Sequence, residues 1–277
     1  MHRPIFFTLC SFYLIFTSCR PYQPADSKPI DKTATVSPLI AMKWVDLTHA
    51  FDSASLYWPN NTRKFELITE SKGITPGNYF YSSYSLCAPE HGGTHIDAPV
   101  HFAENKSSVD QIPLTSLIGS AIKIDVSTRA LANRDYLISV ADIEAWEKTN
   151  GQIPDQSILL FQTGYGKYYP QRKEYFGTEK TGAAAIPLLH FPGIDPEAAK
   201  WLVAHRKIKA IGLDTPSLDY GQSKDFQTHR ILLAESIPGF ENLAMLDQLP
   251  EKNIFIIALP MKVRGGSGGP LRIVAGM

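Results

Sequence analysis

His91-Gly92-Gly93-Thr94-His95-Ile96-Asp97-Ala98-Pro99-Val100-His101 is the stretch from which the rest of the chain can be read. Taken as locally extended, residues 91–102 alternate between two faces. His91, His95, Asp97 and His101 share one face, and Ile96, Ala98, Val100 and Phe102 share the other. Three imidazoles and a carboxylate thus oppose a surface suited to an apolar core. Gly92 and Gly93 remove bulk and let the backbone bend between the first two histidines. Pro99 lacks an N–H, which puts the piece at a strand end or sheet edge. Imidazole and carboxylate are ordinary ligands of zinc and manganese. Without a cation, three histidines crowded beside one aspartate are costly to bury. The plainer alternative is a His-rich surface loop, or core histidines satisfied by backbone. It suits a lone histidine better than four polar groups opposite an apolar face.

Outward from this segment, strands and helices mix. Trp44-Val-Asp-Leu-Thr, residues 64–69, 79–88 and 121–126 read as strands. Residues 157–162, 210–214 and 254–259 read as buried strands. Ser139, with Asp142 three residues on and Gly151 beyond, brackets a helix. Asp195 followed by Pro196 opens another, running to His205. The expected fold is one mixed α/β domain over residues 43–277. No period of 20–50 residues repeats, which excludes a solenoid or propeller.

Residues 1–19 are of another kind. Residues 5–16 form a nearly unbroken apolar run of about 12, too short to span a bilayer. It fits the apolar part of an export signal. Thr17-Ser18-Cys19 resembles the lipobox of bacterial lipoproteins, although Phe16 stands where Leu is usual. An ordinary signal peptide cut nearby is the alternative. The expected localisation is periplasmic or cell-envelope, anchored by lipid at Cys19. Residues 20–42, with prolines at 21, 24, 29 and 38, read as a disordered tether. Of three cysteines, only Cys87 would remain in the mature domain, expected as a buried small hydrophobe. The net charge is zero with no basic run, which speaks against a nucleic-acid partner.

A second cluster lies downstream. Asp225-Phe-Gln-Thr-His229-Arg-Ile-Leu-Leu-Ala-Glu235 has helical character, with Asp225 a candidate N-cap. Glu241 follows in an expected loop. Spacing alone leaves His229 and Glu241 as well explained by an exposed helix histidine and a surface glutamate. Gly265-Gly-Ser-Gly-Gly-Pro270 is no phosphate loop, because no Lys-Ser/Thr follows it; a flexible loop near substrate or subunit interface is expected. Asp214 and Ser217 lack the Gly-x-Ser-x-Gly elbow of a serine hydrolase.

Residues 91–101 meet every fixed position of the pattern His-x-Gly-Thr-His-x-Asp-x-Pro-x-His, and on them the chain resembles the cyclase family. That family includes bacterial kynurenine formamidases (arylformamidases) and isatin hydrolases. Trp44-Val-Asp-Leu-Thr with Leu56-Tyr-Trp58-Pro resembles its opening block, Leu213-Asp-Thr-Pro-Ser-Leu-Asp219 its middle block, and residues 259–272 its closing block. The resemblance implies a swivelling β/β/α fold that associates as a homodimer or homotetramer. It implies His91, His95 and Asp97 as ligands of a first metal. Asp97, His229 and Glu241 would hold a second, with Glu241 touching both. His101 would be the acid/base, and Trp58 would border the substrate. One or two zinc ions are implied, with manganese the alternative drawn from the isatin hydrolases. The implied reaction is metal-dependent hydrolysis of a small aromatic amide. An N-formyl arylamine giving arylamine and formate, as in tryptophan breakdown, comes first; opening of a cyclic amide such as isatin is the alternative. A non-catalytic metal- or ligand-binding surface lipoprotein is a third reading. A free acid/base at His101 speaks against it.

Overall fold

The computed structural model describes residues 39–277, and Met42–Met277 form one compact unit. The export signal, Cys19 and all but the end of the tether lie outside the described residues. The strands are β1 (Trp44–Asp46), β2 (Glu66–Ile74), β3 (Phe80–Cys87), β4 (His95–Asp97), β5 (Ile118–Asp125) and β6 (Leu137–Ile138). They continue with β7 (Ile158–Gln162), β8 (Gly193–Ile194), β9 (Ala210–Leu213), β10 (Gly239–Glu241), β11 (Ile254–Pro260) and β12 (Gly268–Gly276). The main sheet has eight strands in the order β1-β12-β11-β5-β7-β9-β10-β4. It closes on itself because the start of β12 also pairs with β4, Gly268 opposite Asp97 and Pro270 opposite His95. Closure leaves β4, only three residues long, hydrogen-bonded on both sides.

Strands β5, β7, β9 and β10 run parallel, and parallel neighbours need crossovers. Three helices supply them: α1 (Val140–Asn150), α2 (Pro196–His205) and α3 (Gln227–Ala234). The first two start where the sequence places them. Ser139 and Asp142 make a reciprocal capping box, and Asp195 accepts from the Glu197 N–H at 2.9 Å. Period-two alternation then sorts the side chains. Ile158 and Leu160 of β7 join Ile96, Phe240, Ile256 and Ile273 in a cluster gathered from strands around the sheet. Leu159 and Phe161 turn the other way, onto Ile143 of α1, Leu202 of α2 and Leu232 of α3. β2 and β3 stand apart as a hairpin whose side chains are mostly exposed.

Three expectations need correction. The extended stretch around the histidines shrinks to β4; residues Pro99–His101 form a 3-10 turn, with Pro99 at its first position. Residues after Gly268 are strand, not a flexible loop, because their backbone completes the barrel. Cys87 is half-buried beside Arg63 at the end of β3 rather than inside the core.

Candidate active site

The site forms where β4, β10 and the first turn of α3 meet. Gly92 and Gly93 have φ of +152° and +57°, and a Cβ at either would strike the ring of Tyr57 or Phe51. Glycine alone therefore permits the bend that separates His91 from β4. His95 and Asp97 then project from one face of β4, while Ile96 enters the core. Glu241 lies directly opposite His95 across the β10–β4 ladder, so it sits on a buried strand and not in a loop. His229 is buried in the first turn of α3. The N-cap of that helix is Phe226, not Asp225, and the capping carboxylate comes from Asp219, which accepts from the N–H groups of Thr228 and His229.

All seven residues singled out from the sequence line one cavity of about 350 Å³: Trp58, His91, His95, Asp97, His101, His229 and Glu241. His91 Nδ1 lies 2.6 Å from Asp97 Oδ1. His95 Nε2 lies 3.4 Å from both Asp97 Oδ1 and Glu241 Oε2. His229 Nε2 lies 3.0 Å from Asp97 Oδ2 and 3.1 Å from Glu241 Oε1. The other ring nitrogen of each histidine is held from outside. His91 Nε2 meets Ser267 Oγ at 2.9 Å, His95 Nδ1 meets the Gly93 carbonyl at 3.0 Å, and His229 Nδ1 meets Asp219 Oδ2 at 2.6 Å. Three imidazoles thus turn one nitrogen each toward Asp97, and two of them, His95 and His229, toward Glu241 as well. Nitrogen and carboxylate donors converging this way, with outer partners fixing each ring, fit a divalent cation.

Electrostatics agree. Burial pushes the Asp97 carboxyl up, but the imidazoles of His229, His91 and His95 outweigh it and hold it well below the carboxylate range. Glu241 is pushed up by burial and by the Asp97 charge. Burial pulls His95 and His229 down, but their carboxylate neighbours win and raise both. Positive charge is what this cluster lacks, and a cation would supply it.

His101 differs. Burial depresses it to about 4, so its ring is neutral near neutral pH. It stacks on His91 with centroids 3.9 Å apart and touches Phe102 edge-on at 4.5 Å. One of its ring nitrogens lies within 4.8 Å of a donor atom of His91 and of Asp97, and donor atoms of His95, Asp97 and Glu241 lie equally close to one another. Phe102 faces the cavity, against the alternation expected from the sequence, because the 3-10 turn rotates it. Phe102, Phe226 and Trp58 wall the cavity, with ring centroids 5.4 Å apart for Phe102–Phe226 and 6.2 Å for Trp58–Phe226.

Sequence reasoning gave no role to Asp219, Glu90, Ser267, Phe102 or Phe226. Asp219 had a local signal, ten residues before His229 at the head of a helix that needed a cap. The hydroxyl of Ser267 hid inside a glycine run. Asp214 and Ser217 form no dyad: Asp214 is consumed by the Thr163 hydroxyl and the N–H groups of Thr163 and Gly164.

The sequence profile of the Cyclase family matches residues 45–220. The chain belongs to the cyclase family. The isatin hydrolase of Roseibium aggregatum is 30% identical over 223 residues, 78% of this chain and 82% of that one. The kynurenine formamidase of Salinibacter ruber is 28% identical over 233 residues, 84% and 97% of the two chains. The crystal structure of an isatin hydrolase bound to the product analogue thioisatinate superposes with a TM-score of 0.80 at 28% identity, covering 90% of this chain and 99% of that one. This family member is therefore a hydrolase, with the family's mixed α/β fold.

Proposed function

We propose that this chain hydrolyses the amide bond of a compact aromatic substrate, as a kynurenine formamidase or an isatin hydrolase does. The convergence of three imidazoles on Asp97 and Glu241 beneath an aromatic wall carries the reading. A divalent cation there, zinc first and manganese second, supplies a Lewis acid for the substrate carbonyl and lowers the pKa of a water. His91, His95 and Asp97 would hold one ion, and Asp97, His229 and Glu241 a second. His101 takes a proton from the attacking water and returns it to the leaving nitrogen. Trp58, Phe102 and Phe226 hold the arene and exclude water.

An N-formyl arylamine is one candidate substrate. One observation favours the cyclic amide: among the described residues no lysine or arginine lines the cavity. A neutral bicyclic amide needs no cationic partner, whereas the zwitterionic tail of N-formylkynurenine would find an acceptor for its ammonium in Glu90 but no lysine or arginine for its α-carboxylate. The test is to purify the full chain, measure bound zinc and manganese, and follow N-formylkynurenine and isatin by absorbance. Turnover of either, abolished by chelation and restored by the ion, is the expected result. Bound ion with neither substrate turned over would overturn it.

We propose also that the chain is exported and anchored through Cys19, on the sequence features given above. Mass spectrometry of the mature N-terminus tests this: an acylated Cys19 is expected, and an intact Met1 or a free terminus elsewhere would refute it.

A further inference from the structure

We propose that Glu90 and Ser267 form a positioning pair that fixes the tautomer of His91 and so selects Nδ1 as its cation-binding nitrogen. The inference rests on the cation site proposed above. Ser267 Oγ lies 2.9 Å from His91 Nε2 and 2.7 Å from Glu90 Oε2, and the Ser267 N–H donates to the same Glu90 oxygen at 3.1 Å. A hydroxyl has one proton, and a carboxylate only accepts. The Ser267 O–H therefore donates to Glu90, and His91 Nε2 must carry the hydrogen that Ser267 accepts. In the neutral ring, the form that binds a cation, Nδ1 then keeps its lone pair 2.6 Å from Asp97 Oδ1; without a cation, a proton on Nδ1 would donate to that oxygen.

The glycine run explains how the hydroxyl is held. A Cβ at residue 266 would stand 2.5 Å from Glu90 Oε1; one at residue 268 would stand 2.4 Å from the Ile96 carbonyl and 2.6 Å from His91 Cε1. A side chain at residue 268 would strike backbone, and one at residue 266 would displace the Glu90 carboxylate, so backbone lies directly on the acid and the imidazole. The strand is pinned there, Ala98 N–H donating to the Ser267 carbonyl and Val109 N–H to that of Gly266, each at 2.9 Å. His95 and His229 are buried and locked by Gly93 and Asp219. His91 is 23% exposed at the rim, so its orientation depends more on this pair.

The experiment compares the full chain with Ser267→Ala, Glu90→Ala and Glu90→Gln. Zinc and manganese affinities are read by competition with a chromophoric chelator, and the His91 tautomer by ¹⁵N NMR of the cation-free, histidine-labelled protein. Expected are an Nε2–H signature in the wild type and mixed tautomers in Ser267→Ala. Cation affinity should fall about 10–100-fold in Ser267→Ala and Glu90→Ala, and less in Glu90→Gln, which keeps an acceptor. Wild-type affinity and an unchanged tautomer in Ser267→Ala would overturn the pair. So would a lowered melting temperature with unchanged affinity, which marks a merely structural role. A wild type that takes up neither ion overturns the cation site itself, and the NMR signature then decides the tautomer separately.

Discussion

At the scale of single residues, the division of labour turns on His101. Its ring stacks on His91 with a nitrogen within 4.8 Å of an Asp97 oxygen, whereas His91, His95 and His229 meet carboxylate oxygens at 2.6 to 3.4 Å. His101→Ala should therefore keep the cation, measured by elemental analysis, while kcat falls roughly 10²–10⁴-fold; loss of the ion with the activity would make His101 a ligand. His49 gives a different prediction. It stacks on Tyr169 with centroids 3.9 Å apart, its Nε2 is buried without a partner among the described residues, and burial lowers it from 6.5 to about 4. Between those values the unfolded chain binds a proton that the folded chain refuses. Stability is thus retained above about 6.5 and lost as pH falls toward about 4, by up to about 1.4 kcal/mol per pH unit. His49→Phe keeps the stack without titrating, so denaturant melts at pH 7, 6 and 5 should show a shallower loss; equal slopes would refute the assignment. What the sequence reveals at this scale is local. Candidate ligands within eleven residues of one another announce themselves by spacing. His229 and Glu241 do not, because only the folded chain pairs β10 with β4 and brings the first turn of α3 onto Asp97.

At the scale of elements, legibility followed the caps. Helices opened by Ser139 and by Asp195-Pro196 were visible because their capping residues adjoin them. The cap of α3 was not, since Asp219 arrives from seven residues before Phe226 and replaces the obvious Asp225. β10 was misread as loop for a similar reason: three residues after Pro238 carry no periodicity, and only pairing on both sides makes them a strand. The start of α3 also stores strain. Phe226 sits at φ +50°, ψ +46°, a conformation L-residues other than glycine avoid. The geometry puts its ring between Trp58 and Phe102 over the cavity. Phe226→Ala keeps the strained backbone and loses the ring; Phe226→Gly loses both. The glycine variant should therefore be the more stable of the two by about 1 kcal/mol, measured by denaturant melts. Both should raise KM for an aromatic amide more than they lower kcat. Equal stabilities would mean the strain is not there, and an unchanged KM would remove the ring from the substrate wall.

At the scale of the molecule, the closed barrel explains how so short a strand as β4 can hold a site: both edges are paired, so its backbone cannot fray. The β2–β3 hairpin lacks that protection. It pairs mainly with itself, Leu67 opposite Leu86 and Ile74 opposite Phe80, and all four are exposed, as are Ile68, Tyr81 and Tyr84. An isolated two-stranded ribbon is marginally stable in water, and apolar side chains concentrated on one arm point to a partner surface. The homodimer or homotetramer implied by the family resemblance would cover it. Sedimentation equilibrium of the full chain should then give a multiple of 30.8 kDa, and Leu67→Lys with Phe80→Lys should shift it toward the monomer at micromolar concentration. The hairpin springs from the segment between Trp58 and His91, both of which line the cavity. Dissociation should therefore also loosen the cavity wall and raise KM, with bound-cation content less affected, because all the proposed ligands except His91 sit on β4, β10 and α3. A wild-type monomer, or charged variants that assemble unchanged, would leave the hairpin without this role.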